Sequence, residues 1–178
     1  MNAGHAPELD TTLIAQSGPR INLLVRADKE PDQLIPCRHI VTLLGSRRGC
    51  KVVLQSKRVN PVHAAIVHTG THIVAVDLVS ASGTLLNGLK MQFERISQGD
   101  VLTIGPWEFH VQIEGPERNG NDADEHTFGL DPTPQVFALE HMATHRVLRL
   151  GREVCVLGRR NGCDIVVADH AISRAHAI

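Results

Sequence analysis

Two short stretches near the end of the chain hold the residues best suited to chemistry: Leu157-Gly158-Arg159-Arg160-Asn161-Gly162-Cys163, then Ile172-Ser173-Arg174-Ala175-His176-Ala177. Arg159 offers a permanent cation with several N–H donors, and Ser173 offers a hydroxyl. The glycines beside them allow turns whose amides can face an anion. An anion such as a phosphate group brings negative charge and several acceptor oxygens, so a charged donor, a hydroxyl and turn amides held at strand ends are the groups that would grip it.

The same frame occurs earlier in the chain. At a constant offset of 113, residues 44–64 match 157–177 at Leu44/Leu157, Gly45/Gly158, Arg47/Arg160, Gly49/Gly162, Cys50/Cys163, Val53/Val166, His63/His176 and Ala64/Ala177. A period close to a small domain, about 100 residues, indicates tandem domains, because solenoid units run roughly 20 to 50 residues. The chain ends at Ile178, just after the second His-Ala, so the second copy is read here as the N-terminal part of a domain.

The later frame resembles the opening half of a forkhead-associated (FHA) domain, whose family pattern is Gly-Arg, then Ser-Arg-x-His, then Asn-Gly-Thr and a following Asn. The earlier copy carries the remainder: Asp77-Leu78-x-Ser80-x-Ser82-Gly83-Thr84-x-x-Asn87-Gly88, then Gly99-Asp100-x-x-x-Ile104-Gly105. The resemblance covers residues 20–114 and 140–178. It implies an all-β, FHA-like β-sandwich, of about eleven strands in that family, followed by a truncated second FHA-like segment. It also implies end loops that bind phosphothreonine peptides. Transferred position by position, Arg159 and Ser173 become phosphate ligands, Arg174 a supporting or peptide-facing cation, and His176 a structural brace.

The first copy departs from the pattern where binding would happen. Ser46 stands at the Gly-Arg arginine, Asn60 at the serine, Pro61 at the following arginine, and Ser82 at the asparagine before Gly-Thr, while the scaffold positions Gly45, His63, Gly83, Thr84, Asn87 and Gly88 persist. Each lost charge-assisted contact removes roughly 1.5 to 3 kcal/mol, so Ser46, Asn60, Ser82 and Asn87 form a degenerate site. Sliding Arg47 into the vacant place would turn its neighbours to the wrong face.

Other candidates have plainer readings. Arg47, Arg48, Lys51, Lys57 and Arg58 form a solvated basic edge. His68 and His72 flank a Thr-Gly-Thr turn without a third ligand at short spacing, so no metal or other cofactor is implied. Gly83-Thr84-Leu85-Leu86-Asn87-Gly88 imitates a phosphate-binding loop, but Leu89 occupies the place of its lysine. With no Gly-x-Ser-x-Gly, no His-Glu-x-x-His and no paired catalytic acids, the chain is not read as an enzyme. Cys37, Cys50, Cys155 and Cys163 make no Cys-x-x-Cys pair and read as reduced packing residues.

The elements that must position these residues are short strands. β-type runs cover 21–26, 39–44, 51–54, 64–68, 73–78, 84–87, 101–104 and 107–113, separated by turn chemistry such as Asn87-Gly88 and Gln98-Gly99-Asp100. In the last run Trp107, Phe109, Val111 and Ile113 alternate with Glu108, His110 and Gln112, as in a half-buried strand. Further runs fall at 136–139, 146–150 and 154–157. This divides the chain into a flexible N-terminal tail, 1–17; an FHA-like domain, 18–114; a linker rich in acid, glycine and proline, 115–135; and the incomplete second copy, 136–178.

With a net charge of −1 the chain lacks the basic excess of a nucleic-acid binder, and its longest apolar runs fall far short of the roughly 20 residues that span a bilayer. The expected function is phosphothreonine-dependent protein–protein interaction in a cytoplasmic signalling or scaffold protein. Its partner would be a protein or peptide phosphorylated by a Ser/Thr kinase, with no specific nucleic acid and no membrane. A phosphate-independent interaction module, or the regulatory N-terminal part of a longer enzyme or transcription regulator, is the alternative.

Overall fold

In the strand spanning 107–114, Phe109 and Val111 are fully buried and Glu108 is exposed, so the alternation in sequence becomes a sheet with one face in the core. The computed structural model describes residues 20–27, 30–69, 72–114, 138–141 and 146–178. The expected tail, 1–17, and linker, 115–135, lie outside the described residues.

Eleven strands build the first unit: β1 (Arg20–Ala27), β2 (Glu30–Cys37), β3 (Val41–Gly45), β4 (Val52–Val53), β5 (Ala64–His68), β6 (Ile73–Asp77), β7 (Thr84–Leu86), β8 (Leu89–Met91), β9 (Phe93–Arg95), β10 (Val101–Ile104) and β11 (Trp107–Glu114). They form a six-stranded sheet in the order β2-β1-β11-β10-β7-β8 and a five-stranded sheet in the order β4-β3-β5-β6-β9. Between them lies a core of Ile21, Leu23, Leu44, Ile66, Leu102, Ile104 and Phe109, which are fully buried. Among the described residues every regular element is a strand, and no helix is long and apolar enough to cross a membrane.

The strand β2 falls in a stretch, 27–38, where the sequence suggested none. Pro31 and Pro36 hide it, and the sheet tolerates them because β2 is an edge strand, with Pro36 opposite Asn22 of β1. The Asn-Gly hairpin forms as its residues require. Asn87 and Gly88 both have positive φ, 50° and 79°, and link β7 to β8, so strand structure stops at Leu86.

The later residues add β12 (Ala138–His141) paired with β13 (Arg146–Arg149), and β14 (Leu157–Gly158) paired in parallel with β15 (Ile165–Val166). Val154 and Val156, expected in a strand, are instead buried without strand pairing. All four cysteines are free; Cys37, Cys50 and Cys163 are buried, and burial pushes the Cys37 thiol up to about 11.

Candidate functional site

The loop after β3 is held by a close approach that only glycine permits. A Cβ on Gly45 would collide with the carbonyl oxygen of Pro61, and one on Gly158 with that of Arg174. Around each glycine runs the same set of bonds. Ser46 N–H donates to Asn60 O (2.9 Å) and Arg159 N–H to Ser173 O (3.0 Å); Arg47 N–H to Pro61 O (3.0 Å) and Arg160 N–H to Arg174 O (3.3 Å). Leu54 N–H donates to Gly45 O and Val167 N–H to Gly158 O, both at 2.9 Å; His63 N–H to Leu44 O (2.8 Å) and His176 N–H to Leu157 O (2.7 Å). The Cys50 and Cys163 thiols each lie 3.3 Å from the carbonyl of Pro61 and Arg174, and the parallel pairs Leu44↔Val52 and Leu157↔Ile165 complete the frame. The offset of 113 in sequence is thus an offset in hydrogen bonding.

What hangs on the two frames differs. In the first, the polar groups are spent on neighbouring loops. Asn60 Oδ1 accepts from Ala81 N–H (3.2 Å), and the Ser82 hydroxyl donates to Arg58 O (2.8 Å). Asn87, expected in the degenerate site, uses both amide atoms at the start of β10: Nδ2 donates to Asp100 Oδ1 (2.8 Å), and Oδ1 accepts from Val101 N–H (2.9 Å). In the second, the Arg159–Ser173 backbone bond sets the two residues side by side, both exposed, with Arg174 next in line. Arg159, Arg160, Asn161 and Arg174 line an open cavity of about 530 Å³. Arg159 and Arg174 stand at this opening while the Arg160 guanidinium donates to Val79 O (2.8 Å), and such cations suit an anion with several acceptor oxygens.

His63 shows how the first frame is braced. Its Nδ1 accepts from Asn60 N–H (3.1 Å), so the ring proton sits on Nε2, which donates to Gly83 O (3.2 Å). One buried ring thereby ties the loop after β4 to the turn at Gly83. His176 repeats the first half, its Nδ1 accepting from Ser173 N–H at 3.3 Å. Asp77, quoted in the sequence motif without a role, is the second tie: it accepts from Ser80 Oγ (2.6 Å), Ser80 N–H (2.9 Å) and the buried Thr84 hydroxyl (2.7 Å). Gly83 N–H in turn donates to Ser80 Oγ (2.9 Å).

Burial holds the His63 imidazole below its ordinary 6.5, with the Gly83 carbonyl and Asp77 opposing more weakly. The folded chain therefore binds fewer protons at this ring than the unfolded chain does as pH falls through 6.5. The stability due to neutral His63 is complete above that pH and declines below it. Burial lowers His68 as well, so thermal melts should fall as pH drops from 7 to 5, and His63→Gln should flatten the dependence without abolishing it. A slope that His63→Gln leaves unchanged would exclude His63 as its source.

Residues 42–105 match the FHA domain family. The transcriptional regulatory protein EmbR of Mycobacterium tuberculosis is 35% identical over 91 residues, which cover 48% of this chain and 22% of EmbR. The chain thus spans about a fifth of the length of that relative, and the EmbR of Mycobacterium bovis matches to the same extent. Among solved structures, Mycobacterium tuberculosis EmbR in complex with a low affinity phosphopeptide superposes with a TM-score of 0.50 at 29% identity, over 54% of this chain and 25% of that one. The FHA domain of the CT664 protein from Chlamydia trachomatis gives 0.51 at 21% identity, over 54% of this chain and 99% of that one, a likeness of fold alone.

Proposed function

From the FHA fold of its first sandwich, we propose that the chain is a phosphothreonine-dependent interaction module, with residues 136–178 opening a second FHA copy that reads the phosphate and residues 18–114 a copy that has lost most of that capacity. Arg159 and Ser173 are the phosphate ligands, Arg174 supports them or faces the peptide, and His63 and His176 are braces. The observation that carries this reading is the contrast at equivalent positions. Asn60 Oδ1 is tied to a neighbouring loop, whereas its counterpart Ser173 is exposed next to Arg174, which with Arg159 lines one open cavity. The partner is a protein phosphorylated by a Ser/Thr kinase; a cytoplasmic setting agrees with four free thiols. No catalytic role and no cofactor enter this reading.

Titrating the full chain with a phosphothreonine peptide library and its unphosphorylated counterpart tests it. Binding should require the phosphate, and Arg159→Ala should weaken it by roughly 10- to 150-fold, the equivalent of about 1.5 to 3 kcal/mol for one charge-assisted contact. Equal binding of both libraries, indifferent to the substitution, would remove the phosphate reader and leave a phosphate-independent interaction module.

A second reading concerns the whole protein. The likeness to a transcriptional regulatory protein, of which this chain matches 22%, supports the view that the sandwich is the regulatory part of a longer regulator. The peptide contact described above is the same in either case.

A further inference from the structure

We infer that the outward face of the five-stranded sheet is a built docking surface for residues 152–178 of the same chain, and that the structure of the arginine loop depends on it. This rests on packing and is independent of phosphate reading. The outer faces of a sandwich are normally polar, because alternate residues point to water. Here β5 and β6 are apolar on both faces. Ala64, Ile66, Ile73 and Ala75 enter the inner core, while Ala65, Val67, Val74 and Val76 point the other way and are also buried. Cross-strand register places Val67 opposite Val74 and Ala65 opposite Val76, so the outward four form one continuous patch.

The cover is the second frame. Val154, Val156 and Cys163 bury themselves against that patch. Its rim is specific. The Arg160 guanidinium donates to Val79 O (2.8 Å), Gln92 Nε2 donates to Gly162 O (2.9 Å), His72 Nε2 lies 3.0 Å from Glu153 Oε2, and Arg152 stands 5.7 Å from the centre of the Phe93 ring. The arrangement resembles a protein interface, with an apolar centre and a hydrogen-bonded edge. Only two strands of two residues each, β14 and β15, pair within the described residues 152–178. The first sandwich thus supplies an apolar partner for Val154, Val156 and Cys163.

The test is amide hydrogen exchange on the full chain carrying Val76→Asp and, separately, Val156→Asp, which has no place in the inner core. The amides of Arg159 and Val167, bonded to Ser173 and Gly158, should exchange at least tenfold faster than in the unmodified chain. Those of Leu54 and Val111, bonded to Gly45 and Asp100, should keep their rates. Val156→Asp should also uncover the sheet face and raise the fluorescence of an added hydrophobic dye at least threefold. Protection that survives at Arg159 and Val167, or a sheet face that stays dark to the dye in Val156→Asp, overturns the inference. If Val76→Asp also loses the Leu54 and Val111 amides, the two readouts of Val156→Asp decide alone.

Discussion

Gly45→Ala is expected to destabilise the first sandwich by about 3 kcal/mol and lower its melting temperature by roughly 12 to 24 °C. The added methyl group has nowhere to go. It would meet the carbonyl of Pro61, which is backbone and is itself held by Arg47 N–H and the Cys50 thiol. The neighbour cannot swing aside as a long side chain could, so the strain spreads into β3 and its parallel partner β4. Gly158→Ala places the same obstacle against Arg174 O in the second frame, with a different outcome. The main thermal transition should stay near that of the unmodified chain, while exchange protection at Arg159 and Val167 is lost. Should both substitutions leave melting and exchange unaltered, the two glycines would not be the contact points of a shared frame.

The second large effect belongs to Asp77→Ala, for which a loss of about 4 kcal/mol is expected in denaturant unfolding, read as a lower midpoint at constant slope. Asp77 is almost fully buried and takes three donors, two from Ser80 and one from Thr84, which is itself wholly buried. Alanine would strand the Thr84 hydroxyl in the core and release the turn that carries Ser80, Ser82 and Gly83. Hydrogen bonds to a charged acceptor contribute roughly 1.5 to 3 kcal/mol each and do not add fully. Asp77→Asn keeps acceptor capacity and should cost about half as much. If alanine and asparagine had equal effects, the carboxylate would be a spacer and not the tie.

The sequence made the repeat legible because it is written in residues with narrow uses: Gly45 and Gly158 where no Cβ fits, and His63 and His176 where a ring nitrogen accepts from the backbone N–H three residues earlier. It made β11 legible because water on one side and core on the other leave a period of two. β2 was illegible, since Pro31 and Pro36 obey a rule about position in the sheet that local sequence does not state. The runs at Ala64–His68 and Ile73–Asp77 were correctly strands, but their lack of alternation also carried a message about what lies outside the sheet. A run apolar on both faces says that something covers it without saying what. Arg160, Gln92 and Glu153 had no local signal, because each meets its partner across a long stretch of chain. Of the candidate site, Arg159, Ser173 and Arg174 could be singled out in advance. The engagement of Asn60, Ser82 and Asn87 by neighbouring loops could not.

The burial of β5 and β6 on both faces also limits how this protein can vary. In a strand with a wet face, every second residue is free to change, and half the positions absorb substitution without cost. Here Ala64, Ala65, Ile66, Val74 and Ala75 are all essentially inaccessible, so neighbouring positions are constrained from opposite sides. A larger side chain at Ala65 presses on the cover, and one at Ala75 presses on the inner core. Substitution is therefore tolerated best in the loops at the strand ends, where Ser46 and Asn60 stand in place of Arg159 and Ser173.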